Sequence, residues 1–261
     1  MFASLELCAR IERAVATDIG RAAVAAGGFE MPVGRGTAVF AGADSPLTKV
    51  VGLDLDVAAL ETVERTFAER GAKPTIELPT LAEPGLVEAL GEAGYRARGF
   101  EDVLARSTAG EATTLPEGVV LETVPDAGLE DWLDVLVEGF AHPDEEGPVA
   151  VESFAREAVR TAVRAMAASS TRVLARREGV PAGAASLSVV SGIAFLSGAA
   201  TLPAHRRRGL QTAMLEHRLR WARDAEAELA CITTAPGSKS KQNALRRGFT
   251  TLYTRVLFGR P

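Results

Sequence analysis

The stretch Ala199-Ala200-Thr201-Leu202-Pro203-Ala204-His205-Arg206-Arg207-Arg208-Gly209-Leu210-Gln211-Thr212-Ala213-Met214-Leu215 decides how this 261-residue chain is read. It reads as a strand, a tight basic turn and the first turns of a helix. Ile193-Ala194-Phe195-Leu196 leads in as the apolar run of a buried strand. Pro203 cannot donate to a ladder, so the strand should end by Leu202. The amides that open the following helix have no partner inside it. Together with the helix dipole and a glycine that lets the backbone approach closely, they suit an anion, phosphate above all. Arg206 to Arg208 can equally be a solvated helix end, the ordinary fate of a charge run.

Spacing adds to this. Arg206-x-x-Gly209-x-Gln211, behind a strand ending Thr201-Leu202-Pro203, resembles the pyrophosphate loop of the GNAT superfamily of N-acetyltransferases, Gln/Arg-x-x-Gly-x-Gly/Ala. Gln211 departs from the small last residue but still offers its backbone amide. Downstream, Pro236-Gly237-Ser238-x-Ser240-x-x-Asn243-x-x-Arg246-x-Gly248-Phe249 resembles the family's last strand-to-helix segment. The resemblance implies an α/β (α+β) fold, a mixed twisted sheet flanked by helices, in which the fourth and fifth strands splay to admit acyl-CoA. Those strands map to Ile193–Leu202 and Leu229–Thr234. It further implies acetyl-CoA as co-substrate, with the Thr201-Leu202 backbone along the pantetheine arm. Arg206 heads the loop, and the amides of Arg207, Arg208, Gly209, Leu210, Gln211 and Thr212 take the pyrophosphate. Asn243 hydrogen-bonds near the acetyl carbonyl, although by itself it also reads as a cap or a surface amide.

The implied reaction is direct attack of a neutral amine on a thioester. It needs a base for the amine, donors for the oxyanion and an acid for the thiolate. Many family members carry a base on the strand before the loop, yet nothing ionisable lies between Gly192 and Pro203. The tyrosine acid of many members falls here on Ala244. Tyr253 or a water is the fallback acid, against the plain reading of Tyr253 as strand packing. Glu138, His142, Asp144, Glu145 and Glu146 border the implied acceptor site, and His142 is the natural titrating group there. They also read as an ordinary solvated loop. His205 suits loop shaping, His217 a helix interior and Cys231 core packing.

Composition narrows the classes. Net charge is −5 with 24% charged residues, so no global basic field recruits nucleic acid. Cys8 and Cys231 are the only cysteines, too few for a disulfide framework and wrongly spaced for zinc. No metal, nucleic-acid partner or membrane is expected, and the expected setting is cytoplasmic. The expected partner is an amine-bearing small molecule or peptide, with a homodimer left open. A catalytically weak acyl-CoA sensor, or pseudoenzyme, is the alternative to an N-acetyltransferase.

The first half repeats the order in outline. Residues 4–26 read as a helix stopped by Gly27-Gly28. Thr37–Phe40 and Lys49–Leu53 read as strands, and Asp56 caps a helix closed by Gly71. A strand at Pro74–Leu78, a helix near Leu86–Ala93 and a long strand or hairpin from Tyr95 to Arg106 follow. In the second half, helices are expected from Asp126 or Glu130, from about Val151, and from the basic turn to about Ala225. This suggests a degenerate GNAT-like domain over 1–108, a linker over 109–117 and an acetyl-CoA-binding domain over 118–261. An unrelated first domain is the alternative. Gly52-Leu53-Asp54-Leu55-Asp56 stands where the phosphate loop would be, and its acids would repel a pyrophosphate.

Overall fold

The computed structural model describes residues 2–110, 115–143 and 154–260. Asp144, Glu145, Glu146 and Val151 lie outside the described residues. In chain order the elements are α1 (Leu5–Ala25), β1 (Phe29–Val33), β2 (Gly36–Phe40), β3 (Lys49–Val51), α2 (Val57–Ala68), β4 (Thr75–Pro79), α3 (Pro84–Glu92) and β5 (Arg96–Ser107). Then come β6 (Val119–Thr123), α4 (Leu129–Ala141), α5 (Arg156–Ala167), β7 (Thr171–Arg177), β8 (Val180–Val190), β9 (Ile193–Phe195) and β10 (Ala200–Thr201). α6 (Leu210–Asp224), β11 (Leu229–Thr234), α7 (Lys239–Arg246) and β12 (Thr250–Gly259) complete the described chain.

Local chemistry explains most boundaries. Ser4 Oγ accepts from Leu7 N at the start of α1, and Asp56 Oδ1 accepts from Ala58 N at the start of α2, as a side-chain cap should. β1 is a strand that the sequence reading omits, because Pro32 argues against one. Among the described residues it lies at the sheet edge, paired with β2 alone, and so tolerates the missing donor. The expected strand Ile193–Leu202 is in fact two short pieces, β9 and β10, interrupted at Leu196–Ala199. The helix expected from about Val151 has its described start at Arg156.

The strands form one twelve-stranded sheet in the order β1-β2-β3-β4-β12-β5-β11-β9-β8-β7-β6, with β10 paired to β8. α1, α4 and α5 cover one face, and α2, α3, α6 and α7 the other. Strand alternation makes this division: Leu174 and Ala184 pack with α4, whereas Ala175 and Ala185 pack with α6. Likewise Ala38 and Val50 meet α2, while Val39 and Val51 meet α1.

The segments 1–108 and 118–261, expected as two domains, share this sheet. The last strand of the first segment, β5, lies between β12 and β11. The last strand of the second, β12, lies between β4 and β5. The start of the expected linker is tied down too: Thr108 donates through N to Glu228 O and through Oγ1 to Ala227 O.

At this splice, under α1, lies a buried ionic cluster. Arg255, only 2% exposed, donates to Glu12 (3.0 Å), Glu77 (3.3 Å) and Glu101 (2.9 Å). Lys49 pairs with Glu77, and Tyr253 Oη donates to Glu12 Oε1 at 2.6 Å. Burial opposes the charge on Arg255, but Glu12, Glu77 and Glu101 outweigh it and keep the guanidinium protonated. Burial would likewise raise Glu77, yet Lys49 and Arg255 hold its carboxyl low. Burial, and then the charge on Glu77, pushes Glu101 up.

Removing one member of such a cluster leaves uncompensated charge, at a cost of about 3–5 kcal/mol. Arg255→Met should lower the unfolding free energy in denaturant titrations by that amount at neutral pH. The deficit should shrink as pH falls and the raised Glu101 carboxyl takes up a proton, since a neutral Glu101 no longer needs the guanidinium. An unchanged midpoint would show that loss of Arg255 leaves no uncompensated charge at this point.

Candidate functional site

β9 and β11 run parallel only from Ile193/Leu229 to Phe195/Cys231, and Leu196 N to Cys231 O (2.9 Å) is the last bond between them. The chain then leaves β11. Ser197 O accepts from Ser186 N and Oγ, each at 3.2 Å, and β10 continues on β8 alone. Gly198 permits the step, with φ +56° and room for a Cβ only 2.9 Å from Ser186 Oγ. Arg218 holds it from the α6 side by donating to Ser186 O (3.0 Å) and Ser197 O (3.2 Å). Burial lowers the Arg218 pKa to about 10, still charged at neutral pH.

The divergence opens a slot of about 50 Å³ between Leu196 and Ile232, walled by Gln211, Thr212 and Leu215 of α6 and by Ser240, Asn243 and Ala244 of α7. Thr201 Oγ1 and Thr234 Oγ1, on the strand ends beside it, are buried without a hydrogen-bond partner. The α7 wall is anchored from the first half of the chain. Asp102 of β5 accepts from Lys241 Nζ at 2.6 Å and from Thr254 Oγ1 at 2.7 Å.

At the mouth, residues 203–205 form a single 3-10 turn and Arg206 is extended. Arg207 (φ 61°) and Gly209 (φ 79°) are both left-handed. Ala213 N to Gly209 O begins the helical ladder, so the amides of residues 207–212 precede it and find no backbone acceptor among the described residues. Arg206 fixes the turn, donating from Nε to Thr201 O (3.2 Å) and from Nη2 to His142 O. Arg207 and Arg208 are exposed. The result is an open row of amides at a helix N-terminus flanked by guanidinium groups, an arrangement whose chemistry suits an anion.

Thr201 and residues 206–212 thus gather at one end of the slot, and Asn243 lies in its wall. Leu202 N is already bonded to Ala182 O at 3.0 Å. Tyr253 is elsewhere: it packs under α1 on the opposite face with Cys8, Val103 and Cys231. Burial and the neighbouring Glu12 push its pKa far up. His142 is exposed at the end of α4, with Nδ1 3.0 Å from Glu138 O and 3.3 Å from the Glu138 carboxylate. It borders the turn through its own carbonyl but does not line the slot. Among the described residues, the slot's ionisable lining is Arg218 and Arg247, with no carboxylate, histidine or tyrosine. The sequence reading missed Arg218 and Asp102, whose partners lie on other elements far along the chain. No cluster of potential metal ligands occurs among the described residues.

Residues 129–249 match the acetyltransferase (GNAT) family. That match covers a little under half of the chain, from the start of α4 to just before β12. The chain's whole fold is similar to a GCN5-related N-acetyltransferase from Kribbella flavida, at 24% identity and TM-score 0.73, covering 99% of this chain and 97% of the other. A GCN5-related N-acetyltransferase from Sphaerobacter thermophilus is similar at 16% identity and TM-score 0.59, over 100% and 95% of the two chains. A tandem GNAT protein from the clavulanic acid biosynthesis pathway matches at 16% identity and TM-score 0.59, over 86% and 78%. Among curated proteins none matches.

The GNAT element order β8, β9/β10, α6, β11, α7, β12 is paralleled in the first half by β2, β3, α2, β4, α3, β5. There, however, the helix N-terminus is occupied by its own carboxylate, since Asp56 caps α2. A phosphate is excluded from that end both by charge and by the lost donor.

Burial holds the Cys8 and Cys231 thiols up at about 12. At pH 8 only about one molecule in 10⁴ would be thiolate, and both side chains are covered. Dithionitrobenzoate should therefore titrate neither cysteine in native protein within minutes and both in denaturant. Rapid native reaction would show that the α1 packing opens.

Proposed function

We propose that this protein is an acetyl-CoA-dependent N-acetyltransferase whose acceptor is an amine-bearing small molecule or peptide. The observation that supports it most is the slot between β9 and β11, opening onto the free amides of residues 207–212 at the start of α6. Strands held together by hydrogen bonds to their ends would leave no such gap. The donor set also fits the co-substrate: amides and arginines for a pyrophosphate, and an unpaired β10 edge and two orphan hydroxyls for a chain of amide groups.

In this reading Arg207 to Thr212 bind the pyrophosphate and Arg206 keeps the turn in shape. Asn243 and Ser240, steadied through Lys241 by Asp102, orient the thioester end. The acetyl group supplies the electrophilic carbonyl; its C–S bond breaks as a C–N bond to the acceptor forms, and the acceptor's proton leaves to solvent. Among the described residues no carboxylate, histidine or tyrosine lines the slot, and in this reading the domain acts by binding and alignment. A thiol near pKa 8.5 leaves readily, whereas an ammonium near 10.4 must first lose its proton. Turnover should therefore rise with pH until the acceptor itself titrates.

A second reading, a sensor that binds acetyl-CoA without turnover, is favoured by the same lack of an acid or base in the slot's lining among the described residues. Calorimetry with acetyl-CoA, followed by thiol release with an amine library, separates the two. Binding with release supports the enzyme, binding without release the sensor, and absence of binding rejects both.

Two substitutions sharpen the test. Gly209→Val places a β-branched residue at φ +79°, with its Cβ 3.0 Å from Pro116 Cγ. Acetyl-CoA affinity should fall at least about tenfold, or about 1.4 kcal/mol. Tyr253→Phe should change kcat by less than about tenfold, because the hydroxyl is committed to Glu12 on the other face. A thousandfold loss in kcat with acetyl-CoA binding intact would make Tyr253 the acid after all.

A further inference from the structure

A second cavity, of about 370 Å³, lies between α1 and the β2–β3 end of the sheet. It is on the α1 face, opposite the slot's α6 and α7 walls. β4, β12 and β5 separate β3 from β11, about 19 Å at ordinary strand spacing. The volume sits at the small end of the range for ligand pockets, about 300–1,000 Å³.

Its walls are built by close backbone packing. A Cβ on Gly52, at φ +144°, would fall 2.7 Å from Gly36 Cα, so this backbone contact admits no side chain. Gly20 lets the Glu30 carboxylate lie against α1, where a Cβ would be 1.8 Å from Glu30 Oε1. The cavity's charged lining is Glu12, Arg13, Glu30, Arg35 and Asp54. Three carboxylates and two guanidiniums thus share one small space. None of these five forms an ion pair with another within 4.0 Å among the described residues. Arg13, Glu30, Arg35 and Asp54 are exposed, whereas Glu12 is 2% exposed. Glu12 Oε1 is engaged by Tyr253 and Arg255, but its Oε2 is buried with no hydrogen-bond partner. A buried carboxylate oxygen without a donor is costly, and opposite charges held apart by the backbone are each available to a bound molecule.

We propose that this cavity binds a small cationic amino acid, a molecule with two ammonium groups and one carboxylate. Arg13 and Arg35 receive the carboxylate, the arrangement in which guanidinium groups are most effective. Glu12, Glu30 and Asp54 receive the ammonium groups. A ligand of net charge +1 balances the lining's net −1.

The test is calorimetry of the full chain with L-lysine, without acetyl-CoA, so that its outcome is independent of the acetyl-transfer reading. Saturable binding at one site per chain is expected. Cadaverine, which lacks the carboxylate, and L-norleucine, which lacks the side-chain ammonium, should each bind at least about tenfold more weakly. The double variant Arg13→Gln, Arg35→Gln alters exposed side chains only and should keep the native circular dichroism while losing at least about tenfold in L-lysine affinity. No heat and no thermal shift at about 10 mM L-lysine, well above a weak Kd of about 1 mM, would overturn the proposal. Unchanged affinity in the double variant would overturn it as well, by placing the amino acid elsewhere.

Discussion

β12 is hydrogen-bonded to β4 on one side and to β5 on the other, and the rest of the structure depends on that pairing. It joins two stretches of chain that would otherwise be separate sheets. The register puts Val103 of β5 opposite both Thr233 and Tyr253. Arg255 then meets carboxylates from α1, β4 and β5 at one buried point. Such a cluster adds little net stability when complete, because desolvation offsets attraction. In the observed register the guanidinium meets all three carboxylates, so none of the four charges is left without a partner.

The same splice reaches the slot. β5 contributes Asp102, which anchors α7 through Lys241, so part of the slot's wall is held by a residue of the first half. On the other side, the slot exists because β10 prefers β8 to β11. Gly198 and Arg218 set that preference, one by accepting a left-handed backbone and the other by satisfying carbonyls that the broken ladder leaves free.

The two halves share an order of elements and differ in what meets the helix after the parallel strand. Ahead of α6 a left-handed glycine and three arginines leave the amides open. Ahead of α2 the Asp56 carboxylate takes the Ala58 amide and puts a negative charge at the helix end. One helix end stays available to an anion, and the other is satisfied internally.

What the sequence determined is local. Helix periodicity, the Asp56 cap, the turn at Gly209 and the basic loop ahead of α6 depend on neighbours within a few residues, so composition and spacing reveal them. β1 escaped because Pro32 is a breaker everywhere except at a sheet edge, and edge position is not a local property. The strand exchange, the burial of Tyr253 under Glu12, the Asp102–Lys241 anchor and the Arg255 cluster join residues more than a hundred positions apart. Only the tertiary structure decided these. Pairing between distant strands is chosen by total burial and by the satisfaction of buried polar groups, and both are properties of the assembled sheet rather than of any segment.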